Sequence, residues 1–478
     1  MSQSLTKNFL YSSILTVSNY LFPLIVFPYV SRVLGVDRIG VCNFVDSIVN
    51  YFMLFSMMGI SIIGIREIAS RKGDKEAMSR AFFSLIELNG FFTFIAAVAL
   101  LVATHMVPAL QPYRELLHVS LFKLIGNFLL IEWFFKGLED FRYITQRTIL
   151  VKLVYVAAVF LLVREQSDYF IYYVLTVMMV FVNAIFNIFH ARKRLCFDRY
   201  RPRVGRYVRP FFFVGSYLLI TSMYTSFNVM YLGFSCGDTE VGYYTTSTKL
   251  YAIILSLYTA FTGVMIPRMS ALIAEGRKEE FRTLIGKSMG ILVTLSVPLI
   301  MLTVLFAPQI IMLLAGRGYE GAFMPTRIVM PLLFIIGYEQ ILVIQTMMPA
   351  HCDKIVFRNA IVGAMVSLAI NLTLVSRLGA TGSAIVWLAS ESTVFLLSQW
   401  YVSRHFHIHF PLRQLLRHVV AYLPLVAVLV TIYVGWGQSL VGLLVAAPLT
   451  ALYFIVIQIS YLRNEILMNM LNKIRKKL

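Results

Sequence analysis

Three lysines, Lys123, Lys152 and Lys249, lie well inside long apolar runs of the chain. An ammonium group in hydrocarbon costs several kcal/mol on some scales and far more on others. Each of the three therefore marks either a place where an anion is met or a buried structural pair. Lys249 lies eight residues into its run, roughly 12 Å from the boundary at about 1.5 Å per residue. From there its ammonium reaches water only with difficulty. We read it as lining a cavity and facing an anion, with a buried structural pair as the alternative. For Lys123 and Lys152 both readings stay open. Arg32 follows Pro28-Tyr29-Val30-Ser31, Arg66 ends the second apolar run, and Arg268 stands 202 residues after Arg66. A planar guanidinium binds phosphate bidentately, so these arginines suit contact with a phosphate as well as interfacial anchoring.

The acids inside the runs are Asp46, Glu87, Glu132, Glu339 and Glu391. Glu132 precedes Lys136 by four residues, the spacing of a helical ion pair. Asp46, Glu87, Glu339 and Glu391 would balance the lysines or carry a coupling proton or sodium ion, and the sequence does not choose. Tyr244, Tyr251 and Tyr258, seven apart, share one helix face and would either pack or stack on sugar rings. Pro23 and Pro28 predict a bent first helix. His405, His407 and His409 alternate at a helix end, as a solvated loop or a metal site. No Walker loop and no HExxH is present. Cys42, Cys196, Cys236 and Cys352 are scattered and read as small apolar residues without a redox role.

The elements that carry these residues follow from composition. Of 478 residues, 59% are hydrophobic and 14% charged. A soluble chain has about 45–50% apolar and about 25% charged residues. The expected fold is therefore an all-α polytopic membrane protein. A crossing needs about 20 apolar residues. Fourteen runs qualify: 9–30, 40–65, 80–106, 114–137, 143–163, 168–189, 211–234, 241–266, 287–307, 323–348, 356–377, 381–404, 417–435 and 440–462. The first run, Phe9 to Val30, is long enough to span and no small-residue cleavage site follows it, so it is expected to be a spanning helix rather than a cleaved signal. With the N-terminus inside, 32 of the 42 basic residues fall on the cytoplasmic side and 7 on the other. That asymmetry places both termini in the cytoplasm. The net charge of +19 is explained by this topology, without nucleic acid. The tail Asn472 to Leu478 reads as an anchor to inner-leaflet lipids.

A shift of 202 residues superposes Phe9 on Phe211, Gly35 on Gly237, Gly40 on Gly242, Arg66 on Arg268 and Arg80 on Arg282. Six helices separate the copies, an even number, so the repeats are parallel, related by an axis along the membrane normal. The expected organisation is an N-terminal six-helix lobe (1–205), a second six-helix lobe (206–410), and two extra helices with a basic cytoplasmic tail (411–478).

Phe27-Pro28-Tyr29-Val30-Ser31-Arg32-Val33-Leu34-Gly35, with Gly40, Gly59-Ile60 and Arg66-Glu67-Ile68-Ala69, resembles the Wzx-type bacterial polysaccharide flippases. So do Trp133-Phe134-Phe135-Lys136-Gly137-Leu138-Glu139-Asp140-Phe141, Val241-Gly242-Tyr243-Tyr244 with Lys249-Leu250, and Pro267-Arg268-Met269-Ser270. The resemblance covers most of residues 5–400. It implies the superfamily of multidrug exporters and oligosaccharide-lipid flippases, with two lobes around a central cavity switching by alternating access. It further implies a non-enzymatic carrier in the bacterial inner membrane. The implied substrate is an undecaprenyl-diphosphate-linked oligosaccharide, moved from the cytoplasmic to the periplasmic leaflet. Other polysaccharide-assembly proteins are implied partners, and no cofactor is implied. Lys249, Arg32 and Arg66 are then the first choices for diphosphate contacts, with Lys123, Lys152 and Arg268 behind them. The cation-coupled multidrug exporters rely on an acid in the first or seventh helix. Phe9 to Val30 and Phe211 to Phe234 have none, which argues against that branch. A peptidoglycan-precursor flippase is the closer alternative. A polysaccharide polymerase or ligase fits poorly, because the outer loops are short.

Overall fold

The computed structural model describes residues 5–196, 203–437 and 439–462, so the tail Asn472 to Leu478 lies outside the described residues. Every regular element among them is helical. In order these are α1 (Leu5–Met57), α2 (Ile60–Ala69), α3 (Lys75–Met106), α4 (Arg114–Leu129), α5 (Glu132–Gly137) and α6 (Phe141–Leu162). Then come α7 (Tyr169–Arg192), α8 (Gly205–Ser222), α9 (Ser226–Cys236), α10 (Asp238–Ala274), α11 (Lys278–Leu305) and α12 (Ala307–Leu314). The last six are α13 (Phe323–Val329), α14 (Leu332–Gln340), α15 (Asp353–Ile370), α16 (Ser376–Phe406), α17 (Leu412–Trp436) and α18 (Leu440–Ser460).

Ten helical runs among the described residues are long and apolar enough to cross a membrane. This is fewer than fourteen, and the reason is local. Leu10–Ala69 runs 60 residues and Asp353–Phe406 runs 54, whereas about 20 residues suffice for one crossing. Each long run contains a glycine outside helical dihedrals, Gly35 (φ 76°, ψ 172°) and Gly379 (φ 54°, ψ −132°). A side chain is strained at either conformation. The break in α1 thus falls at Gly35, while Pro23 and Pro28 lie inside continuous helix. The expected runs 211–234 and 241–266 are helical in α8–α10 but are not among the ten.

The chain forms two compact units by packing: Met1–Thr245 with Ser367–Ser383, and Thr246–Val366 with Ala384–Leu478. Packing thus divides the chain at Thr245, inside α10, whereas the repeat boundary expected near residue 205 is a line drawn by sequence. In the first unit, Trp133, Phe134 and Phe135 join Phe82, Leu85, Ile63 and Phe211 in a core. Gly64 and Gly137 let α2 and α5 meet: a Cβ at Gly64 would enter the Trp133 ring, and one at Gly137 would press on Ile68. In the second unit, Val293 and Val297 of α11 pack on Tyr422, Leu425 and Leu429 of α17 and Ala446 of α18.

Residues 202 apart share a conformation and touch. Gly237 (φ 87°, ψ 179°) repeats the backbone of Gly35. A Cβ at Gly40 would overlap the carbonyl oxygen of Asp238, and one at Gly242 would overlap that of Val36. The contact is reciprocal, because Asp238 is the mate of Val36 as Gly242 is of Gly40. Two bonds follow the same rule: Asn43 Nδ2 donates to Thr245 Oγ1 at 2.9 Å, and Thr239 Oγ1 donates to Asp37 Oδ1. All of these residues belong to the first unit.

Candidate functional site

Within the first unit, α1, α4 and α7 bring Asp46, Lys123 and Tyr173 together. Lys123 Nζ lies 2.7 Å from Asp46 Oδ1, and the Tyr173 hydroxyl donates to the same oxygen at 2.8 Å. Ser120 Oγ is 2.8 Å from the Tyr173 hydroxyl. The lysine side chain is 14% exposed and the aspartate 36%. Lys123 is thus neutralised, and Asp46 is the carboxylate that balances it. Lys152 is half-buried on α6. Its Nζ donates to Asn19 Oδ1 at 2.6 Å and stands 5.6 Å from the centroid of Phe22. A neutral amide does not cancel its charge.

Lys249 is half-buried on α10. The tyrosine stripe beside it is packing: Tyr244, Tyr251 and Tyr258 are all buried, and the Tyr244 hydroxyl accepts from Asn228 Nδ2 at 3.0 Å. Arg32 is exposed and donates back to the Pro28 carbonyl. Arg66 and Arg268 are exposed, and among the described residues neither side chain makes an ion pair. Glu87 is exposed on α3. In the second unit the carboxyls of Glu339 and Glu391 lie within hydrogen-bonding reach of each other. The structure therefore joins two pairs of the candidates, Asp46 with Lys123 and Glu339 with Glu391. Each of the three arginines is exposed. His405, His407 and His409 are exposed, and among the described residues no cluster could hold a metal.

Two neighbours went unread in the sequence. Glu132 pairs with Lys136 at 3.1 Å, as its spacing implied, but also with Arg147 at 2.9 Å. Arg147 is 6% exposed, although it stands near the start of an apolar run, where basic residues normally face water. Beside Arg66, Glu67 is buried and held by Arg71 at 2.9 Å and by the Tyr207 hydroxyl at 2.8 Å. Burial, and then the bond to Glu67, push the Tyr207 phenol up to about 12, so it stays a donor.

The Asp46–Lys123 pair yields a stability expectation. Asp46→Asn leaves the mostly buried ammonium without its counter-charge. It should cost about 2 kcal/mol, between the exposed and fully buried cases. Asp46→Asn/Lys123→Met should recover most of that in thermal unfolding of the detergent-solubilised protein.

A chain whose described elements are all helical, with ten runs long and apolar enough to cross a membrane, belongs to the class of polytopic membrane proteins, and comparison places it more closely. The chain belongs to the family described as "Polysaccharide biosynthesis protein", which matches residues 5–273. Two relatives carry the name "Putative O-antigen transporter". The one from Escherichia coli (strain K12) is 25% identical over 409 residues, covering 84% of this chain and 97% of the relative. The one from Shigella dysenteriae is 27% identical, covering 82% and 98%. Among solved structures, the fold is similar to a lipid II flippase, MurJ, in an inward closed conformation. The TM-score is 0.74 and identity 15%, covering 95% of this chain and 100% of that one. An inward-facing multidrug resistance MATE family transporter of the MOP superfamily matches at TM-score 0.60 and 15% identity, over 80% and 94% of the two chains. The chain is thus a multi-pass membrane protein of a polysaccharide-biosynthesis family with a flippase-type transporter fold.

Proposed function

We propose that the protein is a flippase that moves undecaprenyl-diphosphate-linked oligosaccharide units from the cytoplasmic to the periplasmic leaflet of the bacterial inner membrane. The family match carries the reading, since the matched stretch holds all six basic candidates: Arg32, Arg66, Lys123, Lys152, Lys249 and Arg268. The names of the two relatives support the same substrate class. A diphosphate and its sugars cannot enter hydrocarbon without compensation. Cations that line a cavity lower that barrier while the lipid tail stays in the membrane. Alternating access then needs two repeats that move against each other. The reciprocal contact between residues 202 apart supports parallel six-helix repeats. Gly35 and Gly379, each inside a run too long for one crossing, raise ten to twelve, and α8–α10 cover two further expected runs; this supports an even count of fourteen, and the asymmetry of basic residues supports cytoplasmic termini. Partner proteins of the assembly line would supply and receive the unit.

Lys249 is the residue assigned to the diphosphate; the pairing of Lys123 with Asp46 moves that lysine down the order. The test is flipping of a fluorescent polyprenyl-diphosphate oligosaccharide in proteoliposomes, wild type beside Lys249→Ala, with thermal stability as the control for folding. The variant is expected to lose at least tenfold in rate with its stability kept. Unchanged flipping would remove Lys249 from the site and leave Lys152 and the arginines. The peptidoglycan-precursor reading has one observation in its favour, the extent of the fold likeness to the lipid II flippase. Preference for a peptidoglycan-type headgroup in the same assay would establish it.

A further inference from the structure

Of the four acids that would balance charge or carry a coupling ion, Asp46 has a lysine partner and Glu87 is exposed. Glu339 and Glu391 have each other. Glu339 is the penultimate residue of α14 and Glu391 lies midway along α16. The ring of Tyr338, beside Glu339, stands 5.4 Å from that of Phe395, four residues beyond Glu391, and the two carboxyls lie within hydrogen-bonding reach of each other. An ionised carboxylate has no hydrogen to donate. A hydrogen bond between the two carboxyls would therefore need a proton on one of them. Both groups ionised at this separation would repel strongly in apolar surroundings. Among the described residues, neither glutamate makes an ion pair with a lysine or arginine.

The surroundings are built for that one proton. Trp387 Nε1 donates to Glu391 Oε1 at 3.0 Å, and Glu391 is 7% exposed. Glu339 Oε2 is sealed from solvent and, among the described residues, lacks a hydrogen-bond partner. Tyr251 of α10 is 3% exposed, its ring stands 4.9 Å from that of Trp387, and among the described residues its hydroxyl has no hydrogen-bond partner. That hydroxyl lies within electrostatic reach of both carboxyls. Among the described residues, the titratable group that faces the pair is Tyr251 from α10. Directly after Gln340, the helix widens into the π-helical turn Ile341–Met347, a feature frequent at functional sites. It holds Gln345 fully buried, with neither amide atom partnered.

We propose that Glu339 and Glu391, with Trp387 and Tyr251, form a binding site for a single exchangeable proton, and that its release and rebinding link transport to a proton gradient. The proton leaves from the shared hydrogen bond to water. Two adjacent carboxylates remain, with Trp387 Nε1 and the Tyr251 hydroxyl as the donors that serve them. The pair titrates as a unit rather than as two independent acids. The linkage to transport rests on the flippase reading; the proton site does not.

Infrared difference spectroscopy of the full-length protein between acid and alkaline buffer reads the proton directly, through the carbonyl stretch of a protonated carboxylic acid. Wild type should show this band at neutral pH. The double variant Glu339→Gln/Glu391→Gln should lose it, Tyr251→Phe should move its midpoint, and exchanging potassium for sodium should leave it unchanged. Absence of the band in wild type, or its survival in the double variant, overturns the site. So does its loss on adding sodium, which would mean a metal-cation site instead. In proteoliposomes, an imposed pH gradient should change wild-type flipping at least tenfold and leave Glu391→Gln indifferent. A gradient without effect on wild-type flipping overturns the linkage. A band present with no flipping of any lipid would count against the flippase reading while upholding the proton site.

Discussion

Gly40→Ala should be the most damaging single methyl group in the protein. The new Cβ would occupy the place of the Asp238 carbonyl oxygen and also press on the backbone nitrogen of Gly242. Backbone cannot rotate aside as a flexible side chain does. Inserting a methyl into a tight contact typically costs about 1–3 kcal/mol. With backbone on the far side, about 3 kcal/mol or more is expected. Gly242→Ala meets the Val36 carbonyl and should behave the same way. The double variant should not add, because both residues open one contact. Gly286→Ala is the control: nothing lies within 4 Å of its Cβ, and it should be neutral or slightly stabilising in its helix. Thermal unfolding monitored by size-exclusion recovery separates these outcomes. A tolerated Gly40→Ala would show that the two segments do not cross as closely as described.

The second large effect concerns Arg147. Its side chain is 4% exposed and its carboxylate partner is Glu132, at 2.9 Å. Lys136 approaches the other oxygen of that carboxylate at 3.1 Å. Glu132→Gln keeps the shape and removes the charge. Breaking a buried pair from one side costs about 3–5 kcal/mol, because the remaining charge is stranded. The partial exposure of Glu132, 28%, places the expectation near the lower bound. Glu132→Gln/Arg147→Met should restore most of the stability, since removing both charges also removes the desolvation penalty. A double variant as unstable as the single one would show that Arg147 matters for its packing rather than its charge.

These two sites mark what can be read from a one-dimensional chain. The glycines at 40 and 242 were legible as repeat mates, because a shared offset is visible in sequence. Their mutual contact was not legible, since an offset carries no distance. Helix positions were legible because length and apolarity are local. The expected runs fall on helical segments, and the count differs where Gly35 and Gly379 lie inside single continuous runs and where α8–α10 are not among the ten. Partnership was the part hidden. Lys123 meets Asp46 across 77 residues. Glu339 finds Glu391 only because α14 and α16 turn those faces together. Helix rotation sets both, and hydropathy is blind to rotation in chains apolar on all sides. Arg147 was missed for the opposite reason. It stands near the start of α6, where basic residues normally face water, and only the fold buries it. The tyrosine stripe of α10 shows the limit of spacing alone: it predicts a shared face without saying whether that face is packed or open.

The central claim is that this chain moves a sugar carried on a lipid diphosphate, with cations meeting the diphosphate. Its most direct test gives proteoliposomes of the purified protein two fluorescent lipids with the same polyprenyl tail and oligosaccharide. One is joined through a diphosphate, the other through a neutral linker. Rapid movement of the first between leaflets, with the second no faster than in protein-free vesicles, is the predicted result. Equal movement of both, or no movement of the diphosphate lipid by stable, monodisperse protein, would contradict it.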